Sequence, residues 1–141
     1  MKKLLLTAVL LSCSLSAQAQ TVWSCFAKNG KQILVTQEGA NYRYHFGKAG
    51  NWELVFDNPL SQVKKQSTEH WDGQGRYGWS MMNMRNHGYN FGFSKSWDRM
   101  SGEHELSMSL KVSPLKGNGR SLTIDCDMSR PAAVNWDSHF D

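Results

Sequence analysis

From Thr21 onward the apolar residues of this chain recur at every second position, and a side-chain period of two belongs to strands with one buried face. Tyr42, Tyr44 and Phe46 alternate with Arg43 and His45, and Tyr89, Phe91 and Phe93 alternate with Asn90, Gly92 and Ser94. Leu106, Met108, Leu110 and Val112 alternate with Ser107, Ser109 and Lys111, and Leu122, Ile124 and Cys126 alternate with Thr123 and Asp125. Such segments read as antiparallel strands packed on one face and solvated on the other.

The punctuation between them agrees. Asn29-Gly30 has the chemistry of a tight hairpin turn between strands over Trp23–Ala27 and Gln32–Thr36. Further turns are signalled at Glu38-Gly39, Gly47 to Asn51, Asn58-Pro59, His87-Gly88, Ser101-Gly102 and Pro114 to Gly119. The expectation is an all-β fold, a small antiparallel sandwich or partly open barrel of about eight strands. Ser61 to Glu69 is polar and aperiodic, a loop or one short helix, and Trp79 to Arg85 fits a strand or a helical turn. After Arg130-Pro131 the segment 131–141 reads as a loosely attached tail, with Trp136 and Phe140 as the residues able to dock it.

The first residues read as an export leader over 1–19: Lys2 and Lys3 precede the apolar run Leu4 to Leu11, and Ala17-Gln18-Ala19 offers a small-x-small cleavage site. A competing reading takes Leu10-Leu11-Ser12-Cys13 as a lipobox with Cys13 as a lipid anchor. No apolar run reaches the roughly 20 residues that a membrane-spanning helix needs. Cleavage would leave about 120 residues, enough for one β domain over 20–130 followed by the tail. Cys25 and Cys126 are then the only thiols, and the oxidising compartment that a leader implies favours their pairing. The bridge would close a loop of about 100 residues, for which a chain-entropy account gives roughly 4.7 kcal/mol. Sixteen basic side chains against twelve acidic ones include the leader lysines, so the exported domain is close to neutral, which does not suit nucleic-acid binding.

One segment has the composition of a contact surface. Trp71-Asp72-Gly73-Gln74-Gly75-Arg76-Tyr77-Gly78-Trp79 mixes glycines with aromatics and an arginine, and Trp71, Arg76 and Tyr77 are of the types that dominate binding hot spots. The bland counterpart is a glycine-bent strand pair whose Trp79 packs in the core. His70 near Asp72, and His104 between Glu103 and Glu105, lack a recognised ligand spacing, so neither a metal nor another cofactor is expected. Gly78-Trp79-Ser80-Met81-Met82 lacks the second glycine of a nucleophile elbow, and Asp125 and Asp127 sit on the outward parity of the last strand, so no catalytic residue is assigned.

The outline formed by Trp23-Ser24-Cys25, Asn29-Gly30-Lys31, Tyr42-Arg43-Tyr44 and Leu122-Thr123-Ile124-Asp125-Cys126 resembles small exported bacterial β-proteins with an end-to-end disulfide, among them the periplasmic and membrane-bound inhibitors of C-type lysozyme. The resemblance implies a compact β scaffold. Those inhibitors carry a Ser-Gly-x-x-Tyr loop; the nearest match, Ser101-Gly102-Glu103-His104-Glu105, lacks the tyrosine, so no inhibitory residue carries over. The functional expectation is a non-enzymatic binding protein, periplasmic or secreted, that engages another protein as an inhibitor of a cell-wall hydrolase or an immunity protein engages its target. The alternatives are a glycan- or peptidoglycan-binding module using Trp71, Trp97 or Trp136, and a structural envelope protein.

Overall fold

The computed structural model describes residues 19–141. The leader expected over 1–19, with Cys13 and the competing lipobox, lies outside the described residues apart from Ala19. Among the described residues nine strands form two antiparallel sheets that face each other as a sandwich, without closing into a barrel. The first sheet contains β1 (Gln20–Phe26), β2 (Gln32–Glu38), β3 (Asn41–Lys48) and β4 (Asn51–Pro59), with the two-residue β9 (Ala133–Val134) on the far side of β1. The second contains β5 (Tyr77–Asn86), β6 (Tyr89–Asp98), β7 (Leu106–Pro114) and β8 (Leu122–Asp125) in that order. A short helix, α1 (Leu60–Gln66), links the sheets.

The alternation in the sequence is the alternation of burial. Trp23 pairs with Val35, Val35 with Tyr44 and Tyr44 with Phe56, a row across the inner face of the first sheet. Opposite it, Met82, Phe93 and Leu110 form a row across β5, β6 and β7, and all three are fully buried. The rows meet through aromatic rings: Trp23 meets Phe93 edge-on at 5.3 Å between centroids, and Tyr44 lies 5.3 Å from Phe91 and 5.7 Å from Phe93. Rings at these offsets add about 0.5–1.5 kcal/mol per pair beyond the area they bury.

One expected turn is absent, and two segments with two open readings each settle on one of them. Asn58-Pro59 does not turn; it ends β4, and Pro59 caps α1. Ser61 to Glu69 holds α1 over its first part, and only Val63 of that helix is buried, which is why no helical period was visible. Trp79 to Arg85 lies wholly in β5. The tail, far from loose, is docked: β9 pairs with β1, Asn135 N–H donates to the Val22 carbonyl at 2.7 Å, and Phe140, 1% exposed, packs against Tyr42.

Cys25 on β1 and Cys126, just past β8, form the expected disulfide, with Cα atoms 5.8 Å apart. The bond crosses from one sheet to the other at the edge where Ala27 also bridges Cys126. Among the described residues no helix is long and apolar enough to cross a membrane. The disulfide fits an oxidising environment outside the cytoplasm. Replacing either cysteine with serine is expected to lower unfolding stability by about 2–5 kcal/mol in urea titrations, and the oxidised native protein should resist thiol alkylation.

Candidate functional site

The inner face of the second sheet is apolar at one end and changes character toward the other. Met84, Phe91 and Val112 form its first cross-strand row, followed by the fully buried Met82, Phe93 and Leu110. The next row is Ser80, Lys95 and Met108, and the last is Gly78, Trp97 and Leu106. A serine and a lysine thus stand on the face that elsewhere makes the core, at the open end of the sandwich. Gly78 has no side chain there because Trp97 lies across it: a Cβ on Gly78 would come within 2.2 Å of the indole.

Lys95 is held from three sides. Its ammonium sits 5.9 Å from the Trp97 ring centroid and 5.6 Å from that of Trp136, and it pairs with Asp141 Oδ1 at 2.9 Å. Trp136 Nε1 donates to the same oxygen at 3.0 Å and Ser80 Oγ at 3.5 Å. Burial at the mouth pushes the Asp141 carboxyl upward, but the hydrogen bonds from Lys95 and Trp136 outweigh it and hold it below the ordinary carboxylate range. Beside Lys95 a cleft of about 520 Å³ opens between the sheets, lined mainly by Trp97, Leu106, Met108, Ala133 and Val134, with His104 at its edge.

The loop that leads into β5 packs beside this mouth. Trp71 meets Trp97 edge-on at 5.6 Å and 80°. Arg99 lies over the Trp71 ring at 5.0 Å and donates to the Gly75 carbonyl at 2.7 Å, which fixes the loop's curvature. Arg76 forms a forked pair with Asp98, its shortest contact 2.7 Å, and stacks on Tyr77 at 5.4 Å. The Arg76 guanidinium and the Met100 N–H hold the Asp98 carboxyl down to about 2. Tyr77 is 56% exposed, and it lines a second depression with Leu106 and Met128.

Of the three residues singled out in the sequence, Tyr77 is open to solvent, Arg76 is exposed but committed to Asp98, and Trp71 is half-covered by Arg99 and Trp97. Trp79 is not in the core: its parity places it on the outer face, and Trp97 takes the inward position across Gly78. Lys95 belongs to no recognised motif, yet the run Phe91, Phe93, Lys95, Trp97 puts a cation on an apolar face. His70 lies 5.8 Å from His139 of the tail, a proximity with no sequence signal. Among the described residues no three His, Cys, Asp or Glu side chains gather as a metal-binding group. No protein-family model, curated protein or solved structure matches the chain.

Two outcomes test this geometry. Gly78→Ala should displace Trp97, changing the near-ultraviolet dichroism of the tryptophans and costing roughly 1–3 kcal/mol of stability through overpacking. Because the Asp98 carboxyl is depressed in the folded state, the order its pair gives the loop should be complete above about pH 4 and lost as pH falls toward 2. Carboxyl chemical shifts of Asp98, followed together with the indole resonance of Trp71, read this directly.

Proposed function

We propose that this domain is a non-enzymatic binding protein of the periplasm or the exterior, that its partner is another protein, and that contact is made by the open end of the sandwich. The observation that carries the reading is the grouping there of exposed Tyr77, Leu106 and Met128, with Arg76 stacked on Tyr77, next to a cleft between the sheets. Tyrosine and arginine dominate hot spots because each combines a large contact area with directed hydrogen bonding, and a neighbouring concavity lets an anchor residue desolvate fully. The rigid frame behind the patch keeps the ordering cost of association small.

Engagement of the kind a hydrolase inhibitor or an immunity protein makes is consistent with this surface. A glycan module would gain most from parallel exposed rings, whereas Trp71 and Trp97 cross at 80° and the Trp97 and Trp136 rings flank a lysine. That arrangement favours a protein partner over a sugar.

The test is affinity capture from envelope extract of the source bacterium, with the native chain, Tyr77→Ala and Leu106→Asp as baits. A protein bound saturably by the native chain should lose roughly 30-fold in affinity to either variant, the factor matching a hot-spot loss of about 2 kcal/mol, while melting temperatures stay level. Equal capture by all three baits, or saturable binding to purified peptidoglycan with no protein retained, would overturn the reading.

A further inference from the structure

Resting on that reading, we infer that the mouth of the sandwich recognises a partner segment in which a carboxylate side chain adjoins a bulky apolar one, and that Asp141 occupies the carboxylate position in the free protein. Three donors from separate elements converge on one oxygen of Asp141: Lys95 Nζ on β6 at 2.9 Å, Trp136 Nε1 in the tail at 3.0 Å and Ser80 Oγ on β5 at 3.5 Å. Convergent donors on an anion are what a carboxylate receptor consists of.

Two of the three donors, Lys95 and Ser80, are built into the sheet, whereas Trp136 and the occupant Asp141 both belong to the tail. The Lys95 side chain is 24% exposed and wedged between two indoles, so it needs an anion close by. The Asp141 side chain is 53% exposed, so water already shares its carboxylate and weakens its hold on Lys95. An incoming carboxylate can therefore replace it at little cost. Phe140, one residue away, is buried against Tyr42 and Trp136, so the exchange leaves the tail docked.

The apolar half of the specificity adjoins the same lysine. Lys95 also lines the cleft formed with Trp97, Leu106, Met108, Ala133 and Val134, and about 520 Å³ lies within the range of sites that accept a specific ligand. A carboxylate on Lys95 thus places the neighbouring residue of the same segment against an apolar wall. The committed occupant is an acidic-apolar peptide segment of a partner protein.

The experiment uses the full chain and a fluorescein-labelled hexapeptide containing leucine followed by aspartate, with leucine–asparagine and alanine–aspartate counterparts. Fluorescence anisotropy should show Asp141→Ala binding the leucine–aspartate peptide about fivefold tighter than the native chain. Each counterpart peptide should bind about tenfold more weakly to Asp141→Ala. Lys95→Met should abolish the preference for aspartate over asparagine, and Lys95→Arg, which keeps the charge, should retain most of it.

Equal affinity of the native chain and Asp141→Ala, or of the aspartate and asparagine peptides, would overturn the proposal by reducing Asp141 to an anchor of the tail. The two readings fail separately. Capture that depends on Tyr77 and Leu106 but is unchanged in Lys95→Met leaves the surface standing and sinks the carboxylate site; peptide selectivity without any captured protein does the reverse.

Discussion

Two sheets packed face to face share no ladder of hydrogen bonds, and hydrophobic contact between them is non-directional, so their relative position must be fixed at an edge. Here it is fixed at Cys126. Its sulfur is bonded to Cys25 on β1, its N–H donates to the Met108 carbonyl of β7, and the next residue, Asp127, donates its N–H to Phe26 of β1. Residues 126 and 127 therefore belong to both sheets at once. The turn that follows is closed by Ser129, which donates to the Asp127 carboxylate through both its N–H and its hydroxyl, and Arg130 lies 3.9 Å over the Phe26 ring. That turn aims Pro131 and the residues after it back along β1, so the position of the tail is a consequence of the disulfide junction.

The opposite edge is closed by side-chain amides and hydroxyls. Asn58 donates from Nδ2 to the Arg85 carbonyl at 2.9 Å and accepts the Arg85 N–H on Oδ1 at 2.8 Å, standing in for one residue of a missing neighbour strand. Ser67 donates to the Val63 carbonyl of α1 and accepts the Asn83 N–H of β5. These contacts satisfy backbone groups of an edge strand that would otherwise be a template for pairing with another chain. With both long edges secured, a cleft remains between the sheets where Trp97, Leu106 and the tail meet.

The strands were legible because each carries its own period, independent of what it packs on. The limits of that legibility are physical. Leu106 and Leu122 sit on the apolar parity of their strands yet are 40% and 59% exposed. A glycine-bent strand pair would put Trp79 in the core; parity counted back from Met84 and Met82 puts Ser80 and Gly78 inward instead. Helix α1 showed no pattern because a single buried side chain makes none. The pairing of Cys25 with Cys126 is legible from the count of thiols left after a leader, the compartment it implies and the apolar parity of Cys126. Trp71, Arg76 and Tyr77 were found by composition, but composition cannot show that Arg76 is spent on Asp98, a residue 22 positions away and across a strand pair.

The mouth itself is a local departure from the rule that builds the rest of the domain. Moving outward along β6, Phe91 and Phe93 obey the demand of the core, Lys95 violates it, and Trp97 resumes it. A buried or half-buried ammonium costs free energy unless an anion stands beside it, and the second sheet supplies only a hydroxyl from Ser80 in that row. The anion comes from a segment held by a two-residue strand, one buried ring and the pairing of Asp137 with Lys64. The attachment of that segment thus divides into a part that cannot leave without exposing Phe140 and a part, the Asp141 carboxylate, that reaches solvent and can be exchanged for another of its kind. A fold that needed only stability would have no reason to place a lysine on this face, since an apolar residue of similar volume satisfies the site without a partner. Departures of this sort, where each neighbouring position keeps the local rule and one breaks it, are where binding chemistry is expected to sit.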